Sequence, residues 1–321
     1  MRFFAPALLT FCGSLFACGG AENLAATEFG AASVLVEQCA QTTSLQPRYI
    51  SRQGQMLEGL VGPSFTVQGA RVGCAEVADI GVEGTRLTGN LDGRQLSGAD
   101  FVGTALRIRD QKNTLSEIAV TRMDPDSGDS TGETQLYTLV ALDPSGQSVS
   151  NLCKPDAEGR SAAIALRGRW DDTGEFIADA SVSFHCTSGV IAKCVMWGYR
   201  PWQSYNGKSL AQHHQACTRM ARADYCGNGQ PHTREGTLID AYDPLGIQTQ
   251  VPDDGMVFEA AWTEDGAYCV SKQRWNLLAA TLLLECPQRL QAPLLSDLLN
   301  PDSCAVRLSP LRRDAVRVSN R

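Results

Sequence analysis

The chain has 321 residues, and its 28 basic and 35 acidic side chains give a formal net charge of −7. A face that binds nucleic acid needs an excess of Lys and Arg, so nucleic acid is not expected as a partner. With 43% hydrophobic and 20% charged residues, the composition is that of a globular protein with a buried core. No apolar run reaches the roughly 18 residues of a membrane-spanning helix, which excludes a polytopic membrane protein.

The first 18 residues predict export from the cytoplasm. Met1-Arg2 supplies a positive start, and residues 3–16 are mostly apolar but too few to span a membrane, which is typical of a secretory signal. The segment ending in Ala17-Cys18 resembles a bacterial lipobox, which implies cleavage before Cys18 and lipidation of its thiol. By analogy with lipoprotein sorting, Gly19 favours the outer membrane. The alternative is an ordinary signal peptide that is cleaved a few residues later, which gives a secreted or periplasmic protein.

The remaining chain divides into three segments. Residues 18–45 are rich in Ala, Gly, Thr and Gln and are interpreted as a lipidated cysteine followed by a flexible tether. Residues 64–290 are interpreted as the folded domain, and residues 291–321 as a C-terminal extension. The Arg-rich tail of this extension either contacts anionic lipid headgroups near the anchor or is a loosely docked terminus.

The twelve cysteines are many for a chain of this length and fit an oxidising compartment. Cys12 leaves with the signal peptide and Cys18 takes the lipid. The other ten predict up to five disulfides of unspecified connectivity, among Cys39, Cys74, Cys153, Cys186, Cys194, Cys217, Cys226, Cys269, Cys286 and Cys304. Cys217 and Cys226 would lie about 13 Å apart along a continuous helix, beyond the roughly 7 Å between Cα atoms that a disulfide allows. They can pair with each other only if the helix breaks between them.

Residues 64–200 show the short apolar segments and turn signals of a β-rich fold. Strands are predicted at residues 135–142, 162–170 and 180–185, with turns at 143–146 and 171–174. Residues 190–202 are interpreted as a buried strand that leads into an aromatic-rich loop. Asn206-Gly207 predicts a tight turn after it.

A helix is predicted over residues 209–224, because Ser209 and Gln212 have the spacing of a capping box. Its inward stripe would contain Leu210, His213 or His214, Cys217, Met220 and Ala221. Gln215, Arg219 and Arg222 would then face solvent. Further strands near residues 237–241, 256–262 and 267–275 and short helices at 276–285 and 293–299 complete the chain. The predicted fold is α+β and mainly β, with disulfide-braced antiparallel sheets and one capped helix.

An ordered set of short motifs surrounds this helix. Its end reads Ala223-Asp224-Tyr225-Cys226-Gly227, with Lys193-Cys194-Val195 and Trp197-Gly198-Tyr199 upstream and Tyr268-Cys269 and Arg274-Trp275 downstream. Together they resemble the ADYC domain, a family of secreted bacterial proteins named for the tetrapeptide, over residues 64–290. The resemblance implies a fold unit and an extracytoplasmic compartment. It implies no reaction and no catalytic residues.

The chain lacks the sequence motifs of the common hydrolases, the P-loop and the dinucleotide-binding fingerprint. His213 or His214 could share a helix face with Cys217 as zinc ligands, but an oxidising compartment favours disulfides, so no metal or cofactor is expected. The acidic segment 124–129 begins like a calcium loop, yet its order is wrong and Gln135 stands where Glu is required. It is interpreted as a solvated hairpin loop.

Two functions remain open. Trp197, Tyr199, Trp202 and Tyr205 cluster within nine residues. If exposed, they would form a platform for a sugar ring or a peptide, and if buried they would join helix to sheet. The leading interpretation is a structural or binding module at the membrane surface, attached by its lipid, with an envelope protein or polysaccharide as the candidate ligand.

The alternative is a secreted hydrolase with a site near His213, His214 and Asp224. Asp224 would end the predicted helix, where the helix dipole disfavours a carboxylate. We therefore expect it to have a partner, either Arg219, Arg222 or a neighbouring backbone N–H. A hydrolase would require a His–carboxylate contact in an open cleft, whereas a binding module would require an exposed aromatic patch.

Overall fold

The computed structural model describes residues 64–143, 145–156, 158–233, 239–249, 257–271, 273–274 and 286, and the backbone of residues 316–320. The predicted signal peptide, Cys18, the tether, Cys39, Cys304 and the two short C-terminal helices lie outside these residues. Neither α-helix in the described part of the chain has the length and apolar content that crossing a membrane requires.

The larger sheet of the described residues is antiparallel, and six of its ten strands close into a ring. The strands are β1 (Ser64–Val72), β2 (Ala75–Glu83), β3 (Arg86–Leu91), β4 (Arg94–Ser97), β5 (Ala105–Asp110), β6 (Leu115–Pro125), β7 (Gln135–Leu142), β8 (Ser148–Asn151), β9 (Ala163–Trp170) and β10 (Phe176–Cys186). The ring runs β1-β5-β6-β7-β9-β10 and closes where Phe65 lies opposite Phe184. Strands β2, β3 and β4 extend from β1, and β8 pairs with β7. The structure is therefore mainly β, as predicted.

Strand β9 shows how the sequence covers both faces of the ring. Successive side chains of a strand point to opposite faces. Ala163 and Ala165 belong to the core inside the ring, whereas Ile164 and Leu166 belong to a second core shared with the helices. Small residues therefore face the crowded interior, and large residues face the helices.

Residues 190–202, predicted as a strand and loop, instead form helix α1 (Val190–Met196) followed by a loop. The prediction was wrong because a short continuous apolar run has no periodicity that separates a buried strand from a buried helix. Residues 190–195 are all buried, Lys193 included, so the helix has no exposed polar face. A disulfide between Cys194 and Cys217, with 5.8 Å between Cα atoms, fastens α1 to the next helix.

The capped helix predicted over residues 209–224 is confirmed as α2 (Ala211–Arg222), although its capping box does not form. Ser209 Oγ accepts a hydrogen bond from the Ala211 N–H at 3.2 Å, but the Gln212 side chain donates to Glu264 at 3.1 Å. The predicted solvent face is also wrong, because its three polar residues are buried. Protein covers both sides of α2: α1 and the ring on one, and a second sheet on the other.

The second sheet contains four antiparallel strands in the described residues. After the small hairpin β11 (Ser204–Tyr205) and β12 (Lys208–Ser209), the chain forms β13 (Ile239–Tyr242), β14 (Val257–Thr263), β15 (Gly266–Val270) and β16 (Val316–Asn320). Their order is β13-β16-β14-β15. Residues 316–320 of the Arg-rich tail therefore supply a central strand and are not a loosely docked terminus.

Three disulfides join six of the predicted cysteines: Cys153–Cys186, Cys194–Cys217 and Cys226–Cys286. Cys269 is also disulfide-bonded. Cys217 and Cys226 do not pair with each other, as the helix geometry predicted. Cys74 departs from the prediction: it is exposed and unbonded at the turn between β1 and β2, and no other described cysteine is left to pair with it. The disulfides indicate an extracytoplasmic location.

Candidate functional site

The loop after α1 presents Trp202 at the surface. The Gln203 N–H donates to the Arg200 carbonyl at 3.0 Å, which closes a turn with Pro201 at its second position. Proline favours that position because its ring already fixes the required φ. The turn places Trp202 third, where its indole is half-buried against the protein.

Arg200 fastens this loop to the hairpin between β6 and β7. Its guanidinium lies 2.5 Å from Asp129 and donates to the Thr131 hydroxyl at 2.8 Å. Although burial raises the pKa of Asp129, hydrogen bonds from Thr131 and Thr134 outweigh it and lower that pKa well below its usual range. The loop predicted to be solvated is therefore a docking point for an arginine.

Gly84, in the turn between β2 and β3, lies directly beneath Trp202. A Cβ built on Gly84 would come within 3.2 Å of the indole Nε1, and the residue has a φ of +62°. Tyr137, inside the ring, holds the same turn: its hydroxyl donates to the Thr85 carbonyl at 3.1 Å and accepts from the Leu87 N–H at 2.9 Å. The indole therefore packs against the backbone of Gly84, where the Cβ of any other residue would crowd it.

Trp202 lines a cavity of about 570 Å³, within the roughly 300–1,000 Å³ typical of small-molecule sites. We call it the Trp202 cavity. Its apolar lining comes from the turn, from β2 and from the β9–β10 pair, and includes Val82, Leu166, Phe176, Pro201 and Trp202.

Two charged side chains, Arg167 and Asp179, also line the Trp202 cavity. Asp179 accepts a hydrogen bond from Arg169 Nε at 2.8 Å, so its charge is already balanced. Although burial raises the pKa of Asp179, the Arg169 hydrogen bond helps to lower it below its ordinary value. Arg167 is exposed, and no described carboxylate pairs with it. The cavity therefore combines an apolar lining with one unpaired guanidinium.

A second cavity, of about 470 Å³, opens beside the β9–β10 hairpin and is lined largely by polar residues. Its two arginines already have partners: Arg109 donates to the Asn113 side chain at 2.8 Å, and Arg169 pairs with Asp179. The Trp202 cavity is the stronger candidate, because it offers both apolar surface and an unpaired charge.

The four predicted platform aromatics do not act together. Tyr199 is fully buried and donates its hydroxyl proton to Asp243 at 2.9 Å. Trp197 packs into the cores on both sides of the helices. Trp202 lines its cavity, and Tyr205 is 41% exposed on the β11–β12 hairpin. Tyr199 and Trp197 therefore follow the second alternative, in which the aromatics join helix to sheet, and the four residues do not form one platform.

The residues proposed for a hydrolase do not form a site. His213, His214 and Asp224 are at most 3% exposed. The His214 Nε2–H donates to the Ile191 carbonyl at 3.0 Å, whereas the Asp224 carboxylate receives Arg219 at 2.8 Å. Among the described residues, no three His, Cys, Asp or Glu side chains converge on a metal-sized position.

His185 and His214 flank Trp170, with ring centroids 4.7 and 5.4 Å from the indole. The Ser183 hydroxyl donates to the Gly168 carbonyl at 2.6 Å, so His185 Nε2–H must be the donor to Ser183 at 2.8 Å. Burial lowers the pKa of His185 to about 3, assisted by the neighbouring His214. Burial likewise lowers the pKa of His214 to about 4. Both rings are therefore neutral at pH 7.

The tetrapeptide after α2 is a structural junction. Ala223 ends the helix with a φ of +52° and is fully buried. Asp224 accepts the Arg219 guanidinium and, at 3.1 and 2.9 Å, the backbone N–H groups of Asn228 and Gly229. This confirms the partners expected for a carboxylate at a helix end.

Tyr225 and Cys226 complete the junction. The Tyr225 ring stacks on Trp262 with 5.0 Å between centroids. Its hydroxyl donates to Glu259 at 3.0 Å and accepts the Arg274 N–H at 2.8 Å. Arg274 pairs with Glu259 at 3.0 Å and donates to the Met220 carbonyl at the end of α2. Cys226 forms its disulfide with Cys286.

Residues 98–276 match the family model described as the ADYC domain. The chain belongs to the ADYC domain family. No curated protein and no solved structure was found to be similar to it.

In this ADYC domain, the name-giving residues hold the helix, the second sheet and a disulfide together. The sequence analysis missed two features of this region. The ion pair between Glu259 and Arg274 lacks a sequence signal, because its members are fifteen residues apart on different segments. Arg167 was also missed as a cavity residue, because the alternation of side chains along a strand does not show which other segments lie beside them.

Proposed function

We propose that this ADYC domain is a ligand-binding module of the cell envelope and that the Trp202 cavity is its binding site. The observation that carries the proposal is the cavity itself, an apolar recess of about 570 Å³ with a half-buried tryptophan and an unpaired arginine. Ligand sites in proteins combine a mostly apolar concave surface with a few polar groups that fix orientation. The supports of Trp202, namely Gly84 and the Arg200 contacts, keep the recess open without a ligand.

The tetrapeptide is not proposed as the site. Ala223, Asp224 and Tyr225 are fully buried, and the polar atoms of Asp224 and Tyr225 already have hydrogen-bond partners. The hydrolase is not proposed either, because His214 and Asp224 have different partners and neither lies in an open cleft.

We further propose that Cys18 carries a lipid that attaches the domain to the membrane surface, most simply the outer membrane. The disulfides support an extracytoplasmic address. Replacement of Cys18 by Ser should release the protein from the membrane fraction and remove the mass of the lipid. Unchanged fractionation and an unchanged mass would contradict the anchor but not the binding site.

The binding site is tested by ligand-observed NMR on the mature folded protein with a defined set of small probes. The set contains the N-acetyl amides of Phe, Leu and Ala, which represent a protein ligand, and methyl glycosides of glucose and N-acetylglucosamine, which represent a polysaccharide. We expect at least one probe to bind, and Trp202→Ala to abolish that binding while Tyr205→Ala, the matched exposed aromatic, retains it. If Trp202→Ala binds every probe as the parent does, the proposal fails.

A further inference from the structure

We infer that the Trp202 cavity takes an amphipathic carboxylate, a ligand in which an aromatic or branched apolar group stands close to a carboxylate that pairs with Arg167. This inference rests on the proposed function and names the class of ligand. It follows from two properties of the cavity: its apolar lining and its charge.

The lining favours an apolar group over a sugar ring. Val82, Leu166, Phe176 and Pro201 offer no hydrogen-bonding side chains. A sugar ring would lose hydroxyl–water hydrogen bonds against them without replacement, and each unmet polar group costs about 1–3 kcal/mol. An aromatic or branched aliphatic group has no such penalty and gains contact with the Trp202 indole.

The charge of the cavity favours an anion. Asp179 is paired with Arg169, so Arg167 adds one positive charge that no described carboxylate balances. The chain as a whole carries a net charge of −7, so the charge at this recess is opposite in sign to that of the whole protein. A guanidinium presents parallel N–H donors that match the two oxygens of a carboxylate. Because Arg167 is exposed, solvent and salt partly screen such a pair.

Two sources share this chemistry: the C-terminal residue of a peptide and a free small carboxylic acid. N-acetyl-L-phenylalanine represents the first, because it retains the amide next to the carboxylate. 3-Phenylpropanoate represents the second, because it has the ring and the carboxylate alone. The tighter of the two assigns the source, and both should bind more tightly than N-acetyl-L-phenylalaninamide, which is neutral.

The experiment is isothermal titration calorimetry of the mature protein at pH 7 with these three probes. We expect N-acetyl-L-phenylalanine to bind about tenfold more tightly than its amide, a preference that decreases with added salt. Arg167→Gln should remove the preference and leave the affinity for the amide unchanged. Arg109→Gln is the control: it removes an arginine that lies outside the Trp202 cavity and donates to Asn113, so no carboxylate of the cavity is left unbalanced and the preference should persist.

Equal affinities for the acid and the amide, or a preference that survives in Arg167→Gln, would overturn the inference. The proposed function has a separate readout in Trp202→Ala. If the acid and the amide bind equally and Trp202→Ala abolishes both, the cavity is a binding site without the anion preference. If Trp202→Ala weakens neither probe, the cavity itself is not the site.

Discussion

Asp224 accepts two backbone N–H groups of the following turn, and several other aspartates of this domain do the same. Four other aspartates each accept two or more N–H groups from the residues that follow them: Asp143, Asp156, Asp171 and Asp243. A glycine with a φ between +77° and +81° stands three positions after each of these aspartates. Asp224 and Gly227 have the same spacing, and the φ of Gly227 is +66°. An aspartate followed three positions later by a glycine is therefore a sequence signal for the turn at Asp224. Two of the other turns, at residues 143–146 and 171–174, were predicted from their turn residues.

The Asp224 carboxylate is buried with Arg219, so removing its charge should be costly. Asp224→Asn keeps the size of the side chain but leaves the buried guanidinium with only the partly exposed Glu175 carboxylate. We expect a loss of about 3 kcal/mol in the free energy of unfolding, measured by urea denaturation. Asp172→Asn, in an exposed turn, should change it by less than about 0.5 kcal/mol. Equal effects of the two substitutions would contradict the structural role of Asp224.

Two of the buried histidines, His185 and His214, make the domain less stable in acid. Their pKa values in the folded protein, about 3 for His185 and about 4 for His214, lie below the ordinary value of 6.5. The unfolded chain therefore takes up protons between pH 6.5 and 4 that the folded chain does not, and stability falls as the pH falls through this window. At pH 5 the loss is about 2 kcal/mol per histidine.

This pH dependence is measured by urea denaturation between pH 4 and 7. His214→Gln should flatten the fall over this range, because its amide does not titrate. His232→Gln, which replaces a buried histidine that packs on Tyr225, serves as the comparison. A fall that is as steep in His214→Gln as in the parent would contradict a neutral buried His214.

Helix α2 shows at the level of one element where periodic sequence analysis succeeds and where it fails. Its existence follows from the apolar spacing, and its observed range, Ala211–Arg222, lies within the predicted residues 209–224. The burial of Arg219 and Arg222 could not follow, because the periodic pattern treats arginine as a solvent residue and contains no information on the second sheet. Both arginines instead donate to the Thr173 carbonyl in the β9–β10 turn. Contacts between distant segments therefore decide what the helix exposes.

The end of α2 depends on the backbone of Ala223 more than on its methyl group. At a φ of +52° a branched side chain clashes with its own backbone, whereas glycine adopts this conformation without strain. We expect Ala223→Val to lower the free energy of unfolding by more than about 2 kcal/mol. Ala223→Gly should stay within about 1 kcal/mol of the parent, because relief of strain offsets the lost methyl burial and the greater chain entropy. Both are measured by urea denaturation, and a valine variant as stable as the glycine variant would contradict the left-handed helix end.

Across the whole molecule, the ring, the two helices and the second sheet share contacts through successive cores. The sequence predicted the mainly β class, the extracytoplasmic compartment and three of the six strands of the ring, β7, β9 and β10. It could not predict that β1 pairs with β10, because ring closure joins segments more than a hundred residues apart. The same limitation applies to the Trp202 cavity, whose walls come from β2, β9, β10 and the loop after α1. The sequence also left the disulfide connectivity undetermined, because the pairing depends on which cysteines the fold brings together.

The disulfide between Cys226 and Cys286 closes a segment of 60 residues that includes part of the second sheet. Closing a loop of this length restricts the unfolded chain by roughly 4 kcal/mol in the chain-entropy model. The double variant Cys226→Ala/Cys286→Ala should lose about 2–4 kcal/mol of stability, measured by thermal and urea denaturation. Cys74→Ala, which removes an exposed and unbonded sulfur, should be neutral. A double variant as stable as the parent would contradict this role.

The central claim is that ligands bind this ADYC domain at Trp202. Fluorine NMR of the protein labelled with 5-fluorotryptophan tests this claim directly. The chain has five tryptophans, and substitution of Trp202 by Phe assigns its resonance. On titration with N-acetyl-L-phenylalanine, the account predicts a saturable shift of the Trp202 resonance, while those of the buried Trp170 and Trp262 remain in place. Saturable binding that leaves the Trp202 resonance unmoved would contradict the account.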